Sequence, residues 1–181
     1  MSFLLLLWMP ILVSSVVVFI LSAIAWTVSP HHRGDYKAAG CEDELQKFLR
    51  EAKLKPGRYM FPFAKGDPNK DPVLKKKMED GPVGTLTIFN GIDMRSNLIW
   101  TYVFFLVTST LIAYLAWFAM EGHPDQSSFR VFRLVGTASI LIYSCSAIPN
   151  DIWFKRPIVT NLFDGVVFGL ATGLIFAAMW R

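Results

Sequence analysis

Apolar and polar residues fall along this chain in long blocks. Residues 3–28 carry no charge and are interrupted only by serine, threonine and Pro10. Residues 98–119 are likewise uncharged, and residues 129–148 are apolar apart from Arg130 and Arg133 near their start. Residues 158–180 hold Asp164 as their one charge. A bilayer core requires roughly 20 helical residues rising about 1.5 Å each. The pattern therefore predicts an all-α membrane protein with four transmembrane helices. The third span is the tightest fit: its two arginines must snorkel to the interface. Trp8, Trp26, Trp100, Trp117, Trp153 and Trp180 lie near span ends, where amphipathic rings favour the headgroup level. Ala23-Ile24-Ala25 resembles a signal-peptide cleavage site, yet the first span has no basic leader and exceeds a signal peptide's apolar length, so it reads as retained.

Between the first two spans, residues 29–97 form a polar segment that reads as cytoplasmic, with small α+β or irregular structure. Leu45, Phe48, Leu49 and Ala52 make an apolar stripe at helical spacing over residues 42–54, and Pro56-Gly57 ends it. Aromatic residues at alternate positions, Tyr59, Phe61 and Phe63, mark an extended piece. Asp71-Pro72 supplies a cap and first residue for a short basic helix through Lys75, Lys76 and Lys77, broken by Gly81-Pro82. Residues 83–89 read as a strand closed by Asn90-Gly91, and the two extended pieces are placed to pair. The apolar side chains here are too few for an independent core, so the segment leans on the membrane, the span ends or a partner.

Of the 18 Lys and Arg residues, 13 lie in residues 29–97; Lys155 and Arg156 lie in the turn after the third span, at residues 149–157. Arg130, Arg133 and Arg181 fall on the opposite side, whose loop also carries Glu121, His123 and Asp125. The positive-inside rule puts residues 29–97 in the cytoplasm and both termini outside. Cys41 and Cys145 sit in different compartments by this topology and do not form a disulfide.

Candidate chemistry is sparse. Asn161, Gly165, Gly169, Gly173 and Ala177 recur every fourth residue in the last span. Such a row admits close helix approach, with the third span as nearest partner or another chain as the alternative. Asp151, Lys155, Arg156, Asn161 and Asp164 form a polar cluster at the cytoplasmic interface, in which Asp164 is expected to pair with Lys155 or Arg156. A proton- or ion-handling role for Asp164 is the alternative. His31-His32-Arg33 reads as a basic anchor beside the membrane. Adjacent histidines are expected to diverge, and a metal there needs further ligands such as Cys41 or His123. Lys75, Lys76 and Lys77 suit either solvent or anionic lipid. No catalytic motif, cofactor-binding fingerprint or internal repeat is present. No catalytic residue, cofactor, metal or nucleic-acid partner is expected.

The run Pro56-Gly57-Arg58-Tyr59-Met60-Phe61-Pro62-Phe63, followed by Asp80-Gly81-Pro82-Val83-Gly84, resembles an uncharacterised family of small bacterial inner-membrane proteins. Leu7-Trp8-Met9-Pro10-Ile11-Leu12-Val13 and Ile152-Trp153-Phe154-Lys155-Arg156-Pro157 are similar too, so the likeness covers most of the chain. It implies a bacterial inner-membrane location and brings no activity or site residues. The expectation is a non-catalytic accessory, assembly or scaffold subunit that contacts the bilayer and other membrane chains or its own copies. A small homo-oligomeric channel or transporter is the alternative, and a membrane enzyme ranks below both.

Overall fold

The computed structural model describes residues 2–67, 70–124 and 126–180; Asp125 and Arg181, used in the charge balance, lie outside these. In chain order the elements are α1 (Ser2–Thr27), a 3-10 turn (Pro30–His32), α2 (Glu42–Glu51), β1 (Gly57–Phe61), α3 (Pro72–Asp80) and β2 (Gly84–Ile88). There follow α4 (Met94–Met120), α5 (Ser128–Ile140), a π-helical turn (Leu141–Cys145), α6 (Ile148–Trp153) and α7 (Ile158–Met179). Among the described residues, four helices are long and apolar enough to cross a membrane: Phe3–Thr27, Met94–Met120, Ser128–Trp153 and Ile158–Met179. The second begins earlier than its apolar block, because Arg95 and Asn97 extend the helix at no cost in an exposed first turn.

The third differs more from expectation. It continues through the π-helical turn and α6, so that most of the predicted turn at residues 149–157 is helical. Pro149 does not stop it, since it occupies the first turn of α6, where a missing N–H breaks no internal bond. The chain bends only after Trp153, where Lys155 takes a left-handed backbone conformation (φ 53°).

The fold divides into two compact units, Ala38–Asp93 and the remainder of the chain. In the larger unit each helix buries one face. Leu7, Pro10, Ile11, Ser14, Ser15 and Val18 recur at helical spacing on α1. Phe105, Thr108, Ser109, Ile112, Ala113 and Ala116 do so on α4. One apolar cluster gathers Leu7, Ile11, Ile112, Met120, Val131, Val135 and Phe176; a second gathers Val18, Phe105 and Phe168, with Tyr143 against it. Between them lie buried hydroxyls. Ser14 Oγ bonds Ser109 Oγ at 3.2 Å across α1 and α4, and Thr172 donates to the Phe168 carbonyl on its own helix. The Tyr143 hydroxyl is buried beside the hydroxyls of Ser109 and Thr172.

The closest helix contact joins α5 and the π-helical turn to α7. A Cβ added at Gly169 meets the Ile140 side chain at 2.5 Å and its backbone nitrogen at 2.8 Å. One added at Gly173 meets the Gly136 Cα at 2.9 Å, and one at Gly165 runs into Ser144 and the Tyr143 backbone. The small-residue row thus faces the third span of the same chain. Ala177, at its far end, is half-buried.

The smaller unit has no buried side chain among its described residues. β1 and β2 pair antiparallel, Tyr59 opposite Leu86 and Phe61 opposite Gly84, and the Phe61 ring covers the space that Gly84 leaves open. Asp71 caps α3 by accepting from the backbone N–H groups of Val73 and Leu74. Its apolar side chains line an open cleft of about 450 Å³, bordered by Phe61, Pro62, Phe63, Leu74 and Pro82.

Gly169 offers the sharpest test of the packing. The atoms its Cβ meets are backbone as well as side chain, so the helices must separate to admit it. Gly169→Ala is expected to cost about 1–3 kcal/mol, the usual range for an overpacked core, and Gly169→Leu to abolish the folded monomer in detergent. Unchanged thermal unfolding of Gly169→Leu contradicts this packing.

Candidate functional site

The polar residues at one end of the bundle resolve into two groups. In the first, Asp151 on α6 is buried and accepts from Asn161 Nδ2 at 2.9 Å, and its carbonyl accepts from the Arg156 backbone N–H. This pair joins α6 to α7 across the bend. Lys155 and Arg156 are exposed and form no ion pair with Asp164. The expected pairing of Asp164 with Lys155 or Arg156 is therefore corrected. Both cations lie in the bend before α7, whereas Asp164 lies nearly two turns into the helix on its buried face.

Asp164 instead belongs to the second group. Beyond the end of α1, Pro30 starts a 3-10 turn that carries His31 and His32 back over the bundle, and the Arg33 N–H closes it on the Pro30 carbonyl. His31 Nε2 lies 2.8 Å from Asp164 Oδ1, and His32 Nε2 lies 2.8 Å from Asp164 Oδ2. The two rings do not diverge as expected. Their centroids are 4.3 Å apart, because the tight turn and one bidentate carboxylate bring them to the same point. His32 stacks on Trp26 with centroids 4.0 Å apart and planes 5° from parallel, and the Phe163 and His31 rings meet at a steep angle.

Each Nδ1 has a partner of its own. His31 Nδ1 is in close hydrogen-bond contact with Ser29 Oγ, and His32 Nδ1 with the Asp35 carboxylate. An ionised carboxylate only accepts, and both nitrogens of His32 face one, so the site is arranged to favour the doubly protonated His32 ring. Burial pulls the His32 pKa down; hydrogen bonds to Asp164 and Asp35, reinforced by both carboxylate charges, outweigh it and raise the pKa above 6.5. The side chains of His32, Asp35 and Asp164 are at least nine-tenths buried, and that of His31 is a quarter exposed. Ligand-type atoms of His31, His32 and Asp164 lie within 4.8 Å of one another.

The other predicted residues lie elsewhere. Gly165, Gly169 and Gly173 pack against the third span, and Lys75, Lys76 and Lys77 are exposed on α3. Cys41 is exposed in the smaller unit, and His123 follows the far end of α4. Ser29 and Asp35 have no counterpart in the sequence reading. Depth matching carries the missing signal: two histidines just past one span and an inward carboxylate just inside another share a membrane side in the predicted topology. No family model, curated protein or solved structure matches the chain.

The raised His32 pKa makes stability pH-dependent. The group returns to about 6.5 on unfolding, so its stabilisation is fully present below that value and is lost as pH rises through the higher folded value. The detergent-solubilised, chelator-treated chain is expected to lose thermal stability as the pH rises above about 6.5, and His32→Asn to remove most of that slope. The same slope in His32→Asn contradicts the assignment.

Proposed function

We propose that this chain is a multi-pass protein of the bacterial inner membrane that works without catalysis, as an accessory or assembly subunit of a larger membrane complex. In this reading both termini lie outside and residues 29–97 lie in the cytoplasm, as the Lys and Arg distribution favours. The observation that carries it is the contrast between the two units. The bundle is packed on itself, with its small-residue row already covered by the third span, and needs no partner there. The unit Ala38–Asp93 has no buried side chain among its described residues and leaves Phe61, Phe63, Phe89 and Ile92 exposed. A segment with apolar side chains and no core is stabilised by something that covers them. Another protein chain fits the aromatic cleft, while Lys75, Lys76 and Lys77 suit the anionic membrane surface.

The channel or transporter reading ranks second. It draws on the buried hydroxyls, but Ser14, Ser15 and Thr172 bond carbonyls of their own helices and leave little to line a path. A membrane enzyme gains two histidines and a carboxylate at one depth, which by themselves define no reaction.

Replacing residues 38–93 with a flexible linker separates these readings. The full chain, purified from its host in mild detergent, is expected to carry a stoichiometric partner chain. The linker variant is expected to lose that partner while the bundle unfolds within a few degrees of the full chain. Recovery of the full chain as a lone monomer, or retention of the partner by the linker variant, contradicts the proposal.

A further inference from the structure

His31, His32 and Asp164 present two imidazole nitrogens and a carboxylate to one point, and their surroundings match what a metal centre needs beyond its direct ligands. A ligating histidine normally has its second ring nitrogen held by a carboxylate, a backbone carbonyl or water, an oxygen acceptor that fixes the ring and its tautomer. Both histidines have this: Asp35 holds His32 and Ser29 holds His31, each through Nδ1, leaving both Nε2 atoms turned to Asp164. Trp26 and Phe163 wall the rings on two sides.

Burial points the same way. The Asp35 and Asp164 side chains are both at least nine-tenths buried, and no ion pair joins Arg33, Lys155 or Arg156 to either carboxylate among the described residues. Buried carboxylates call for a cation beside them, and one divalent ion matches two of them in charge.

We propose that His31 Nε2, His32 Nε2 and the Asp164 carboxylate bind a divalent first-row transition-metal ion, with Asp35 and Ser29 as positioning residues. Two nitrogen donors and one carboxylate suit zinc or ferrous iron and disfavour the hard cations magnesium and calcium, which prefer all-oxygen sites. A bound ion would take the Nε2 lone pair of each ring, any Nε2 proton leaving to solvent, and each ring would keep one hydrogen on Nδ1, donated by His32 to Asp35 and by His31 to the Ser29 oxygen. Both Nε2 lone pairs then face the ion. Three protein ligands leave at least one position for water or another ligand. This site lies in the bundle and is independent of any partner of residues 38–93.

Zinc titration of the full chain, stripped of metal in detergent, tests this. One tightly bound equivalent is expected, together with a higher unfolding temperature and no comparable effect of magnesium or calcium. Cobalt at the same site is expected to give visible d–d absorption. His31→Gln keeps the His32–Asp164 bond and the fold, and is expected to weaken zinc binding at least tenfold. Asp35→Asn removes no ligand and is expected to weaken it roughly 10–100-fold, the usual effect of losing an outer partner. Zinc binding of unchanged strength in folded His31→Gln, or none in the full chain, overturns the proposal.

Discussion

The carboxylate of Asp164 is the one charge in a helix of 22 residues, and it accepts N–H bonds from two histidines that lie more than 130 positions earlier in the chain. A carboxylate at the centre of a membrane helix costs about 2.5–3.5 kcal/mol on insertion scales, and less towards an end. Charge-assisted hydrogen bonds contribute roughly 1.5–3 kcal/mol each, so two of them outweigh that cost. Asp164 therefore faces inward, and the residues beyond α1 must fold back over the bundle to meet it. Pro30, the 3-10 turn, the Trp26 stack and the Asp35 contact all serve that return.

The same stretch of α7 sets the helix spacing. Gly165, next to Asp164, has Ser144 against it, and Gly169 and Gly173 continue that approach along α5. A larger side chain in this row moves α7 outward and carries Asp164 away from the histidines. Close packing on one face and the polar junction beside it are thus one arrangement. Asp151 and Asn161 hold α6 to α7 near the bend with a second, smaller polar contact.

Local signals account for most of what the sequence makes legible. Apolar blocks locate the four long helices, the Asp71-Pro72 pair marks the start of α3, and alternating aromatic residues mark β1. Each depends on neighbours a few residues apart. Two features escaped local rules. Pro149 looks like a stop when read alone, and is tolerated only because the π-helical turn ends α5 and lets α6 begin afresh. Nearness in sequence pairs Asp164 with Lys155 and Arg156, whereas its partners His31 and His32 are near in depth. The unit Ala38–Asp93 illustrates the converse: its elements follow local rules closely, yet none of its described residues is buried, and local rules say nothing of what covers them.

A double-mutant cycle between His32 and Asp164 measures the junction itself. Unfolding free energies in detergent are taken for the parent, His32→Ala, Asp164→Asn and the double variant below pH 6.5. Residues in one hydrogen-bond network couple by about 0.5–3 kcal/mol. A buried, charge-assisted contact predicts a value in the upper half of that range, shrinking as the pH is raised. Additive effects of the two substitutions contradict the account, because they mean that His32 and Asp164 do not meet.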